Sequence, residues 1–140
     1  MSLPSQLDTA AVARTDEVRE WAVTAARAAS DKSGNDTIVL AVGAVLAITD
    51  AFVITSGANP RQVRTIVEEV ELRVKQAGGP PPGRIEGLDD ARWVLMDYGD
   101  FVVHVMIEEA RELYALERLW GDGEVWVWEE RRPAGVAAGE

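Results

Sequence analysis

Two apolar runs, Arg92 to Tyr98 and Phe101 to Ile107, stand on either side of Gly99-Asp100 and constrain the fold more than any other stretch. Two residues are too few to connect parallel neighbours, so the runs pair as an antiparallel hairpin, and glycine at the first central position suits a type II′ turn. Side chains alternate across a strand. Trp93, Leu95 and Asp97 therefore share one face and Val94, Met96 and Tyr98 the other, while His104 lies with Val102 and Met106, opposite Phe101, Val103, Val105 and Ile107. One side of the hairpin thus combines large apolar groups with a carboxylate or an imidazole.

The rest of the chain supplies what such a hairpin packs against. Thr15 is placed to cap a helix with Asp16 and Glu17 in its first turn, and Val18, Trp21, Ala22, Ala25 and Ala29 fall on one face as far as about Ser30. Thr37 to Val42 and Ala51 to Thr55 read as strands. Asn59 is an N-cap, Pro60 the first helical residue and Gln62 a side chain able to reach back, opening an amphipathic helix through Val63, Ile66, Val67, Val70 and Val74. Gly78-Gly79 stops it, and Pro80-Pro81-Pro82 forms a stiff connector. A last helix is expected over Glu109 to Trp120 with an apolar face of Ala110, Leu113, Leu116 and Trp120. Glu124 to Trp128 alternates as a short strand or a contact patch. The pattern predicts a single α/β domain with a mixed sheet flanked by helices, bounded at residues 14–128. A flexible arm is expected over 1–13 and a flexible tail over 129–140.

Charge narrows the partners. Fourteen Lys and Arg against 24 Asp and Glu give a net charge of -10 in 140 residues, so a phosphate backbone is repelled and basic proteins are favoured. The chain has no cysteine, which removes disulfides, thiolate metal sites and cysteine nucleophiles. No apolar stretch is long enough to span a bilayer and the first residues lack the pattern of a secretory signal, so the cytoplasm is the expected location. Catalysis would have to use His104, the one histidine, with Asp97, Asp100 or Asp50 to orient it. No G-x-S-x-G elbow, P-loop or H-E-x-x-H helix accompanies it, and Asp89-Asp90 is expected in a loop, unsuited to holding a metal. The expectation is a protein without catalytic residues, cofactor or metal. A plainer arrangement is open as well, with Trp93 in the core and His104 a satisfied edge residue.

Two blocks of sequence resemble a known family. The first is Trp93-Val94-Leu95-Met96-Asp97-Tyr98-Gly99-Asp100-Phe101-Val102-Val103-His104, continued by Tyr114 and Leu116-Glu117-Arg118-Leu119-Trp120. The second is Thr49 to Asn59 followed by Arg61-Gln62-Val63. Both resemble the ribosomal silencing factors, or Iojap-like proteins. The resemblance implies a nucleotidyltransferase-like topology without that fold's catalytic motifs. It also implies binding to a large-subunit ribosomal protein, L-fourteen, at the inter-subunit face, with a steric block on joining of the small subunit and damped translation when nutrients fall. Trp93, Leu95, Asp97, His104, Met106, Tyr114 and Trp120 become the partner-binding candidates, and a homodimer is expected in isolation. The alternatives are a nucleotidyltransferase-like enzyme and a dimeric adaptor that never meets the ribosome. Asn59-Pro60-Arg61-Gln62 departs from the family's Ser-x-Arg-His, and Glu124 to Glu140 is expected to extend past the family's usual end, which leaves Trp126 and Trp128 without a role implied by the resemblance.

Overall fold

The computed structural model describes residues 3–42, 49–115 and 124–125. Its elements are α1 (Leu3–Asp31), β1 (Asn35–Ala41), β2 (Ala51–Gly57), α2 (Pro60–Gln76), β3 (Arg84–Glu86), β4 (Trp93–Asp97), β5 (Phe101–Ile107), α3 (Glu108–Tyr114) and β6 (Glu124–Val125). The strands form one mixed sheet in the order β3-β4-β5-β2-β1-β6. The β2–β5 pair is parallel and the other pairings are antiparallel. The α/β architecture expected from the sequence is the one observed.

Why the sheet has a closed side follows from the residues facing α1 and α2. Helix α1 turns Val18, Ala22, Ala25, Ala26, Ala28 and Ala29 inward, and α2 turns Val63, Ile66, Val67, Val70 and Val74, all buried. The two helices touch each other and both rest on β2 and β5. Beneath them lie Val39, Val53, Val94, Met96, Val103 and Val105, each without solvent exposure. The alanine face of α1 permits a close approach. Gly34, where the chain leaves α1 for β1, sits so tightly that an added Cβ would lie 2.5 Å from Thr55 Oγ1 and 2.8 Å from the Ala29 carbonyl oxygen. Polar groups caught under the helices pair with each other: the Thr37 and Thr55 hydroxyls are 2.7 Å apart.

The start of α2 is built as its sequence foretold. Asn59 Oδ1 accepts the Gln62 N–H at 2.9 Å, and Gln62 Oε1 accepts the Ala58 N–H at 2.7 Å, one residue before the usual capping-box donor. Gln62 Nε2 then donates to the carbonyls of Lys32 and Ser33, both at 3.1 Å, fastening the α1–β1 turn to α2. The glutamine that departs from the family pattern therefore has a structural task.

Three expectations change. Helix α1 begins at Leu3, not at Thr15, so the stretch taken as an arm is helical from that residue. Helix α3 ends at Tyr114, where Ala115 adopts a left-handed conformation (φ 47°, ψ 51°), and Leu113 is 76% exposed instead of completing an apolar face. Its start carries Glu108 and Glu109, whose charge suits the helix dipole. Residues 116–123 lie outside the described residues, as do Trp126 and Trp128, while Glu124–Val125 pairs with β1 at the sheet edge.

The hairpin turn has positive φ at Gly99 (86°), as expected, but is tighter than a plain type II′ turn. Asp100 N–H donates to the Tyr98 carbonyl at 3.1 Å, a bond between residues two apart that makes a γ-turn, and Asp97 Oδ1 accepts the Gly99 N–H at 2.8 Å.

Candidate functional site

Register assembles the second face of the sheet. Trp93 pairs with Met106, Leu95 with His104 and Asp97 with Val102 across β4 and β5, while Phe52 and Ile54 of β2 pair with Val102 and His104. The hairpin reading placed Trp93, Leu95, Asp97, His104 and Met106 correctly on their strands, and the structure brings them to one face. They are not equally accessible. Trp93, Leu95, Asp97 and Val102 are half-buried, whereas His104 is 5% exposed and Met106 is fully buried. Met106 therefore supports this face from beneath and does not form its surface. Tyr114 ends α3, its side chain outside the described residues, and Trp120 falls outside them altogether.

His104 is neither at an edge nor satisfied. Strand β5 runs between β4 and β2, and the imidazole is held by Trp93 Nε1–H, which donates to Nδ1 at 3.1 Å, and by Phe52, which meets the ring edge-on at 4.7 Å. Nε2 is buried without a hydrogen-bond partner among the described residues. Burial lowers the pKa to about 4, so the ring is neutral at neutral pH. No carboxylate orients it, since Nδ1 is engaged by Trp93; the histidine–aspartate pair that catalysis would require is absent from the described residues.

Asp97 is committed locally. Besides the turn bond, its Oδ2 lies 3.7 Å from Arg84, which in turn pairs with Glu86 at 2.8 Å. Between these groups is a hollow of about 380 Å³ lined by Thr49, Phe52, Leu95, Val102 and His104, with Arg84, Asp97 and Gly99 also bordering it. Thr49, Phe52 and Val102 were not singled out from sequence. Phe52 reaches this face through the parallel β2–β5 pairing, which no local pattern announces, whereas Val102 shares it with His104 by the alternation of β5. Asp89 and Asp90 sit in an exposed turn, and among the described residues no group of three or more His, Asp or Glu side chains could hold a metal. Among them, too, no helix is long and apolar enough to cross a membrane.

Fold and site define a single-domain α/β protein whose mixed sheet is closed by helices on one face and partly open on the other, around Trp93 and His104. A family model described as "ribosomal silencing factor during starvation" matches residues 15–138. The chain is 40% identical over 98 residues to the ribosomal silencing factor of Bacillus subtilis, covering 70% of this chain and 82% of that one. It is 35% identical over 91 residues to mouse mitochondrial assembly of ribosomal large subunit protein 1, covering 64% of this chain and 40% of the mouse protein. A crystal structure of a Chromobacterium violaceum protein superposes with a TM-score of 0.70 at 31% identity, covering 84% of this chain and 92% of that one. The chain belongs to the ribosomal silencing factor family.

Proposed function

We propose that this chain silences translation in the cytoplasm by binding the free large ribosomal subunit and obstructing the small subunit. Family membership over most of its length carries the reading. The contact is assigned to the half-open sheet face, with Trp93 and Leu95 as apolar area and Asp97 as the charge that meets a basic ribosomal protein, L-fourteen. Tyr114 and Trp120 are assigned to the same contact on the family resemblance alone. A net charge of -10 favours such a protein over the surrounding RNA. An interface of ordinary size, about 1,600 Å² in total, blocks a joining surface by occupancy, without turnover, cofactor or metal. In isolation the same apolar face is covered by a second copy, a homodimer that dilution separates.

Sucrose-gradient sedimentation tests this. The protein is expected to travel with the large subunit and to reduce the joined ribosomes. Migration mainly with small subunits overturns the reading, as does an unchanged proportion of joined ribosomes. Raised salt should slow association, because attraction between unlike surfaces is screened over about 8 Å at physiological ionic strength.

A further inference from the structure

Trp93 and His104 are joined in a way that separates what each can do for a partner. The register sets them diagonally, since Trp93 lies opposite Met106 and His104 opposite Leu95, and an aromatic side chain spans that diagonal. The indole Nε1–H donates to the imidazole Nδ1 at 3.1 Å, with the ring centroids 5.9 Å apart and the planes inclined by 50°. An indole nitrogen can only donate, so Nδ1 is the acceptor. Trp93 is half-buried and has surface to offer, whereas His104, 5% exposed, has almost none.

Stability does not explain a histidine here. His104 lies on an interior strand, with Phe52 edge-on to its ring at 4.7 Å and Leu95 opposite. An aliphatic side chain would suit those neighbours and bury no polar atom, whereas the imidazole's Nε2 is buried with no partner among the described residues. What the imidazole supplies and an aliphatic group lacks is the Nδ1 acceptor, and Trp93 uses it. A tryptophan side chain turns about two torsions. A bond at the nitrogen end of the ring fixes both, so the ring's freedom is lost on folding and not on association. The indole's one polar atom is thereby committed within the protein, and the rest of the ring, all carbon, is what a partner can meet.

We propose that His104 is a positioning residue of the recognition face: through Nδ1 it holds the Trp93 indole in the orientation that the partner meets, without touching the partner itself. The proposal rests on the function assigned above and adds to it the residue that prepares the contact.

The test uses the full chain and purified large subunits. Affinity, thermal midpoint and solvent exchange of the Trp93 indole proton are measured together, Trp93→Phe identifying that proton by its absence. In the parent the proton should exchange more slowly than that of free indole. His104→Leu keeps apolar bulk and removes the acceptor; its thermal midpoint should hold or rise, its indole proton exchange faster, and its affinity fall about two- to tenfold, the size of ordering one side chain on binding. His104→Asn, whose Oδ1 stands close to the place of Nδ1, should recover part of both losses. In a Trp93→Phe background, which has no N–H to hold, His104→Leu should lower the affinity no further. Binding by a folded His104→Leu equal to that of the parent overturns the positioning role and leaves the proposed function standing. The same loss in both backgrounds overturns it as well, because His104 would then act without Trp93. If His104→Leu does not fold, the parent's indole proton decides: exchange as fast as in free indole overturns the role, and slow exchange with affinity partly kept by His104→Asn supports it. If the parent fails to bind large subunits at all, the proposed function fails and the positioning role falls with it.

Discussion

The two faces of the sheet are made by the same strands in the same register, yet one is finished and the other is not. Under α1 and α2, the side chains of Val53, Val94, Met96 and Val103 are sealed and the Thr37 and Thr55 hydroxyls bond to each other. On the reverse, Trp93, Leu95, Asp97 and Val102 keep part of their surface in solvent, and His104 Nε2 and Thr49 Oγ1 have no bond partner among the described residues. A two-residue alternation thus separates stability from recognition within single strands. The closed side can be judged by what a deletion costs in folding, the open side by what it costs in binding.

The largest expected difference lies between Phe101 and Leu95. Phe101 is fully buried and stacks on Tyr98 at 4.5 Å, so Phe101→Ala should cost about 3 to 5 kcal/mol. Leu95 keeps part of its surface in solvent, and Leu95→Ala should cost about 1 kcal/mol. Urea denaturation of both variants checks the contrast. Equal losses would mean that the second face is as much core as the first.

Acid should reveal the open face through His104. Its folded pKa, about 4, lies below the ordinary 6.5 because burial opposes the charged ring. The unfolded chain therefore takes up a proton that the folded one refuses, and stability is fully present above about pH 6.5 and is lost as pH falls toward 4. The loss attributable to this group is about 3 kcal/mol. Stability measured against pH should flatten in this window for His104→Gln, whose amide keeps an acceptor for Trp93 and does not titrate. An unchanged slope would show that His104 takes up its proton as readily in the fold as in the unfolded chain, so that burial does not hold the ring neutral.

The closed side has one unfinished group, and it sharpens the comparison at smaller scale. Tyr98 follows Val94 and Met96 in the alternation, and its hydroxyl is buried without a partner among the described residues; burial first and the Glu71 charge second hold its ionisation well above the usual range. Tyr98→Phe should stabilise the fold by about 1 kcal/mol and leave ribosome binding unchanged, which chemical denaturation and sedimentation together check. Reduced binding would place this hydroxyl in the interface and blur the division between faces.

What sequence revealed follows the same division between local and distant. The Asn59-Pro60 start of α2, the turn at Gly99-Asp100 and the faces of β4 and β5 were legible because each depends on residues within a few positions. The parallel pairing of β2 with β5 was not, and it is this pairing that carries Phe52 to His104 and so makes the hollow. Nor was the early start of α1, since Leu3 to Ala13 shows no sustained apolar period. The Trp93–His104 bond stood halfway. Both residues were on strands whose faces were known, but only the register, with Leu95 opposite His104, sets the indole near the imidazole.

The smallest effect on folding, and the most direct trial of the open face, is expected at Asp97. Its Oδ1 caps the hairpin turn and its other oxygen lies 3.7 Å from an exposed Arg84, a pair worth about 0 to 1 kcal/mol. Reversing the charge with lysine would also remove the turn bond and confuse folding with recognition. Asp97→Asn keeps an oxygen for the Gly99 N–H and deletes the charge alone, so stability should change by no more than about 0.5 kcal/mol. If Asp97 meets a basic protein on the large subunit, the asparagine variant should associate more slowly, and its binding should depend less on salt than that of the parent. Sedimentation at two salt concentrations measures both. Equal affinity with an unchanged salt dependence would place Asp97 outside the contact and take the half-open face with it.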